Sequence, residues 1–190
     1  AGVLSLVLAG VAVSSFAVAL TALALNLAPN PYALSEMLFW LLGSLRDRSF
    51  DDLGYAAPFM LLGWALLLTA GRGLDALTLG EETAASLGVR VGVLRAQVVA
   101  GTALAVGAAV SAAGSIGFVG LVVPHLLRPL CGHRPGRLLL PSALGGAVLI
   151  AAADILVRLV PTRTELHLGV VTALVGAPFF LALLASLGRR

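Results

Sequence analysis

Long apolar stretches follow one another along this chain, separated by short segments that carry nearly all of its charge. A helical span needs roughly 20 mainly apolar residues to cross about 30 Å of hydrocarbon. Residues 3–27 meet that requirement in full, and residues 53–70 (with Pro58 near the start), 91–113, 138–160 and 166–187 meet it or nearly so. Within hydrocarbon every backbone N–H and C=O must be satisfied inside the segment, which makes these stretches helices. With 59% of its residues hydrophobic and 11% charged, the chain reads as an integral membrane protein. The predicted fold class is all-α: a polytopic transmembrane helix bundle of about six spans, one of them short or interrupted.

Two segments do not fit a plain span. Residues 28–52 contain a Pro-Asn-Pro sequence and a charged cluster (Arg46, Asp47, Arg48, Asp51, Asp52) around a short apolar piece, residues 37–45. This is expected to be an external loop with an interfacial helix that holds Trp40 at headgroup level. Residues 117–130 offer only 14 positions, about 21 Å as a helix, and include Pro124, His125 and Arg128. Gly114, Gly117 and Gly120 precede that proline, so a tight turn is expected to feed a short span packed inside the protein. His125 is expected at a helix end, where it positions the short span. In the last span Pro178 reads as a packing kink and Gly169 as a point of close helix approach. Gly and Ala pairs elsewhere (Ala103/Gly107, Gly145/Gly146, Gly176) have the same meaning.

The charge is equally informative. All 12 basic residues are Arg, and the net charge of +3 belongs to loops around apolar spans; it forms no stripe suited to nucleic acid. Without Lys there is no Walker A loop, whose Lys reaches the β/γ-phosphates. The single Cys131 allows no internal disulfide, and His125, His133 and His167 lack metal-ligand spacing. No catalytic constellation, resident metal or cofactor is expected in this chain. Its start at Ala1, with no Met and no basic leader, reads as the interior of a longer protein.

Sidedness follows from the arginines. Arg72, Arg90, Arg95, Arg128, Arg134, Arg137, Arg189 and Arg190 fall on one side of the predicted spans, against Arg46, Arg48, Arg158 and Arg163 on the other. The positive-inside rule makes the first side cytoplasmic. Arg95 lies near enough to a span end to snorkel. Residues 71–92 then form a cytoplasmic loop with a helix-compatible run, L-G-E-E-T-A-A-S-L-G-V at residues 79–89. Its Glu81 and Glu82 open the run, and Gly88 suits a helix C-terminus. A loop folded into its own helix presents a surface that something outside the bilayer can grip.

Five blocks together are specific: W-L-L-G-S-L at residues 40–45, the loop at 79–89, G-S-I-G-F-V-G-L-V-V-P-H-L-L-R at 114–128, A-D-I-L-V-R at 153–158 and G-V-V-T-A-L-V-G-A-P-F-F-L at 169–181. In this order the chain resembles the FecCD family, the permease subunits of bacterial ABC importers for iron-siderophores, haem and vitamin B12. The resemblance implies that residues 1–190 are one permease domain matching spans five to ten of ten. It implies a homodimeric channel in the inner membrane, bearing two cytoplasmic ATPase subunits that bind the ATP and docking an external substrate-binding protein. Leu79, Gly80, Glu81, Glu82, Ala84, Leu87 and Gly88 would then form the coupling loop seated on the ATPase. Two departures stand out: His167-Leu168 where the family usually has Pro before Gly169, and G-H-R-P-G-R at residues 132–137 without the usual Asp.

Asp154 and Arg158 are four apart and share a helix face, where a self-neutralising pair is cheaper than either charge alone. The resemblance implies that Arg158 reaches an acidic residue of the docked binding protein, and Arg46 and Arg48, on the same external side by the arginine count, are expected to help. The cargo is read as an iron chelate, with vitamin B12 as the alternative. An ion-coupled carrier is a less favoured reading, because Asp154 is the only acid within the spans as delimited. An intramembrane hydrolase would need a nucleophile-base or H-E-x-x-H constellation, and the sequence has none.

Overall fold

The structure, a computed structural model, describes residues 3–160 and 166–187. Arg163, Arg189 and Arg190 therefore lie outside the described residues. All elements in the described part are helical: α1 (Val3–Asn26), α2 (Pro31–Leu42), α3 (Phe50–Leu77), α4 (Glu81–Ser86), α5 (Val91–Ala113), α6 (Val119–Leu127), a single 3-10 turn (Pro129–Cys131), α7 (Pro135–Leu159) and α8 (Leu168–Leu187). Four of them, α1, α3, α5 and α7, are long and apolar enough to cross a membrane. α8 has 20 residues and α6 only 9, in keeping with the expected short span.

The chain divides into two compact units, residues 1–41 and 42–190. In the first, α1 exposes apolar side chains all round, as a lipid-facing or partner-facing helix does. α2 starts earlier than its apolar piece suggests. Asn30 Oδ1 accepts from Ala33 N at 2.9 Å and Pro31 occupies the first helical position, a favourable start that the apolar count alone does not register.

In the second unit α3 pairs most extensively with α5, and α3 and α6 both pack on α7. Small residues set the α3/α5 distance. A Cβ on Gly63 would lie 2.6 Å from both Ala105 N and Gly101 O, so the backbones meet directly. Gln97 fastens the pair, donating through Nε2 to Leu66 O and Thr69 Oγ1, both at 2.9 Å. At its start α3 carries a capping box: Ser49 Oγ accepts from Asp52 N at 3.2 Å, and Asp52 Oδ2 accepts from Ser49 N at 2.9 Å.

Sequence reasoning ends this span at Ala70, but α3 runs on to Leu77. Gly71 and Gly73 lie within the added turns as contact points. A Cβ on Gly71 would touch Gly136 Cα at 3.4 Å, and one on Gly73 would meet Leu94 Cδ1 at 2.8 Å. Tertiary packing overrides the weak helix propensity of glycine here. The extension brings Asp75 into a helix, so Asp154 is not the only acid carried by these long helices.

Within the second unit, residues 42–44 and the ends of α5 and α8 converge on irregular backbone. Ser44 N donates to Ala113 O at 2.8 Å and Gly169 N to Gly43 O at 3.2 Å. Gly43 has φ +66°, and an added Cβ would run into Ser115 O. A Cβ on Gly169 would run into Leu42 O and Ser115 O. Leu168, 2% exposed, plugs this junction.

Candidate functional site

α4 is a six-residue helix whose two ends are fixed by glycines in conformations that L side chains rarely adopt, Gly80 at φ +101° and Gly88 at φ +85°. Gly88 N donates to Ala85 O at 2.9 Å and Val89 N to Ala84 O at 3.0 Å, which together make a Schellman motif. The αL terminus expected of Gly88 is therefore present in full. Ala84 is wholly buried and seats the helix on the bundle, while Glu81, Glu82, Thr83, Ala85, Ser86 and Leu87 face outward. Leu79, 63% exposed, and Leu87, also 63% exposed, flank the acids with apolar surface. The result is a rigid acidic knob with two apolar shoulders.

Arg95 does not snorkel alone. Its Nη2 pairs with Glu81 Oε1, tying α4 to α5. Glu81 therefore serves the seating of α4, and Glu82 is the more outward of the two acids in role. The 14-residue separation of this pair hides it from any rule of local spacing.

At the other end of the second unit, Arg158 Nε donates to Asp154 Oδ2 at 2.8 Å, the i, i+4 pair expected from the sequence. Arg158 stays 52% exposed in its side chain. A cleft of about 40 Å³ brings Ser44, Arg46, Asp154, Arg158 and His167 together. Arg46 and Arg158 thus share one site although they are far apart in sequence. Arg48 is exposed nearby in sequence, with Nε 3.4 Å from Ser44 O.

The residues expected to shape the short span behave unequally. Gly114 ends α5 at φ +73° and is buried. Gly117 and Gly120 have nothing within 4 Å of an added Cβ, and the left-handed residue before α6 is Phe118, at φ +67°. Phe118 fits because Gly176 of α8 leaves it room: a Cβ there would collide with the Phe118 side chain. Pro124 and His125 lie in the last turns of α6, half-buried, and Arg128 N donates to Pro124 O at 3.0 Å. Pro178 is exposed on α8. Among the described residues no group of three His, Cys, Asp or Glu could hold a metal ion.

The profile of the FecCD transport family matches residues 1–186. The chain belongs to the FecCD transport family. It is 40% identical over 184 residues to the Fe(3+) dicitrate transport system permease protein FecD of Escherichia coli strain K12, covering 97% of this chain and 57% of that protein. With the cobalamin import system permease protein BtuC of Halobacterium salinarum it shares 42% identity over 181 residues, covering 95% of this chain and 48% of that one. A solved structure described as an inward-facing conformation of a metal-chelate type ABC transporter superposes with a TM-score of 0.88 at 33% identity, covering 97% of this chain and 60% of the other. The chain therefore spans about half the length of the curated relatives it matches. Family and helical architecture agree with the resemblance carried by the five sequence blocks.

Proposed function

We propose that this FecCD chain works as part of the membrane permease of a bacterial ABC importer, moving an iron chelate inward across the inner membrane while separate ATPase subunits hydrolyse ATP. One observation carries the reading. A six-residue helix held at both ends by positive-φ glycines, seated by a buried alanine and by the Glu81–Arg95 pair, is far more rigid than a connecting loop needs to be. Rigidity is what a part that receives force requires. Leu79, Gly80, Glu81, Glu82, Ala84, Leu87 and Gly88 form the surface offered to the ATPase on the cytoplasmic side. A second permease copy completes the channel, surrounded by lipid.

The FecD likeness supports an iron chelate as the first reading, and the BtuC likeness supports cobalamin as the second. Uptake into proteoliposomes holding the complete permease, its ATPase and its binding protein decides between them. Radiolabelled ferric chelate should accumulate with ATP hydrolysis, and cobalamin should not. Uptake that persists without any ATPase subunit would sink the reading in favour of an ion-coupled carrier.

The cleft of Arg46, Arg158 and His167 is the face offered to an acidic partner on the binding protein. Asp154 neutralises part of Arg158, yet half of the guanidinium side chain remains in reach of solvent. Exposed charges of this kind govern encounter more than affinity. Arg158→Glu should slow association about tenfold at low ionic strength, with the difference shrinking as salt rises. Stopped-flow mixing across a salt series measures this; equal rates at low salt would leave the pair a purely structural role.

A further inference from the structure

α7 begins without a cap of its own. Its N-cap residue is Arg134, which makes no side-chain capping hydrogen bond, and its first residue, Pro135, has no N–H. The next amide, Gly136 N, donates instead to Asp75 Oδ1 at 2.7 Å, across 61 residues of sequence. Asp75 sits in the last turns of α3, where a carboxylate meets the negative end of its own helix dipole. The positive end of α7 compensates that. Such a short, charge-assisted bond is among the stronger ones available to a backbone amide. Close backbone approach makes it reachable: a Cβ on Gly136 would stand 2.6 Å from Gly71 O and 2.9 Å from Asp75 Oδ2.

α4 hangs from the same turn. Thr78 donates to Asp75 O through Oγ1 at 2.7 Å and through its backbone N at 3.2 Å, and Gly80 N donates to Leu77 O at 3.1 Å. The connector between α3 and α4 is thus a hydrogen-bonded turn with little slack. The Glu81–Arg95 pair holds the near end of α4 to α5 as well.

The geometry points to Asp75 as a positioning residue for energy coupling, whose carboxylate pins the start of α7 to the turn that bears α4, so that a displacement of α4 enters α7. This rests on the import reading above. α7 carries Asp154 about 27 Å farther along its axis, at 1.5 Å per residue. A single continuous helix, with Pro141 inside it, therefore runs from the Asp75 clasp to the cleft of Arg46, Arg158 and His167. A carboxylate that only stabilised the fold would change the amount of assembled protein and leave the stoichiometry of transport alone.

The test uses the complete permease assembled with its ATPase and binding protein in proteoliposomes, with substrate imported per ATP hydrolysed as the readout. Asp75→Ala should lower that ratio about tenfold. Asp75→Asn retains an oxygen acceptor for Gly136 N and should stay within about threefold of wild type. Hydrogen exchange on the permease in nanodiscs supplies an independent arm: the Gly136 amide should exchange about tenfold faster in Asp75→Ala and much less so in Asp75→Asn. An unchanged ratio in Asp75→Ala overturns the proposal, and so does unchanged exchange at Gly136. Should Asp75→Ala fail to assemble, Gly136→Ala, which presses a methyl against Gly71 O and the carboxylate, should lose the same coupling, and a normal ratio there overturns it. A wild-type complex that imports neither ferric chelate nor cobalamin refutes the import reading and this proposal together, whereas failure of the proposal alone appears only in the variants.

Discussion

Gly169→Val should abolish most of the folded permease, with detergent-solubilised yield and thermal unfolding followed by intrinsic fluorescence as the measurement. The reason is backbone against backbone. A Cβ at this position would run into Leu42 O and Ser115 O, neither of which can rotate away as a side-chain tip would. Relief requires residues 42–44 and the ends of α5 and α8 to separate, which breaks the Gly169 N to Gly43 O bond and threatens the Ser44 N to Ala113 O bond beside it. Forcing atoms into a packed site typically costs about 1–3 kcal/mol. Two carbonyl collisions at once place this change near the upper end, a large share of the 5–15 kcal/mol that holds a typical domain together. Gly107→Ala is the control, since an added Cβ there meets nothing within 4 Å and alanine is the better helix former. That variant should match or slightly exceed wild type. Equal stability of Gly169→Val and Gly107→Ala would mean that the junction yields freely.

The contrast between these two glycines shows where sequence reading ends. Both sit in Gly- and Ala-rich stretches that composition marks as sites of close helix approach, yet only Gly169 has backbone pressed against it. Local patterns carried local facts well. Apolar length located α1, α5 and α7 to within a few residues, Gly88 announced the end of α4, and the spacing of Asp154 and Arg158 announced their ion pair. What escaped were contacts made by folding. Asp75 has no signature, because its partner is a backbone amide 61 residues away that becomes available only when α3 and α7 lie side by side. Arg95 looked like a snorkelling side chain because Glu81, 14 residues earlier, belongs to a different element. Phe118 gives no sign that it will take a left-handed conformation, since the space that permits it is made by Gly176 on α8. The end of α3 was misread for the same reason: Gly71 and Gly73 weaken a helix in isolation and strengthen it when Gly136 and Leu94 pack on them.

Glu82→Arg combined with Gly88→Val should uncouple ATP hydrolysis from transport while leaving membrane insertion intact. The two changes act on different properties of α4. Valine at a position held at φ +85° is doubly disfavoured: L residues lose roughly 1–2 kcal/mol in the left-handed region, and a β-branched side chain fits it worst. The Schellman bonds from Gly88 N to Ala85 O and Val89 N to Ala84 O depend on that conformation, so the last turn of α4 should fray. Ala84 stays buried and the Glu81–Arg95 pair stays closed, which keeps the helix attached at its first turn. Glu82→Arg reverses a charge on the outward face without touching that seat. Neither position lies in an apolar span, so the cost of placing the chain in the bilayer is unchanged. Transport per ATP in the reconstituted complex should fall about tenfold or more for the double variant, within the usual range of coupling free energies. Each single variant should show a smaller loss. Gly88→Asn, a residue that tolerates the left-handed region, should restore most of the activity lost in Gly88→Val. Normal transport per ATP in the double variant, with the complex fully assembled, would reduce α4 to a well-capped linker and remove the main physical support for the import reading.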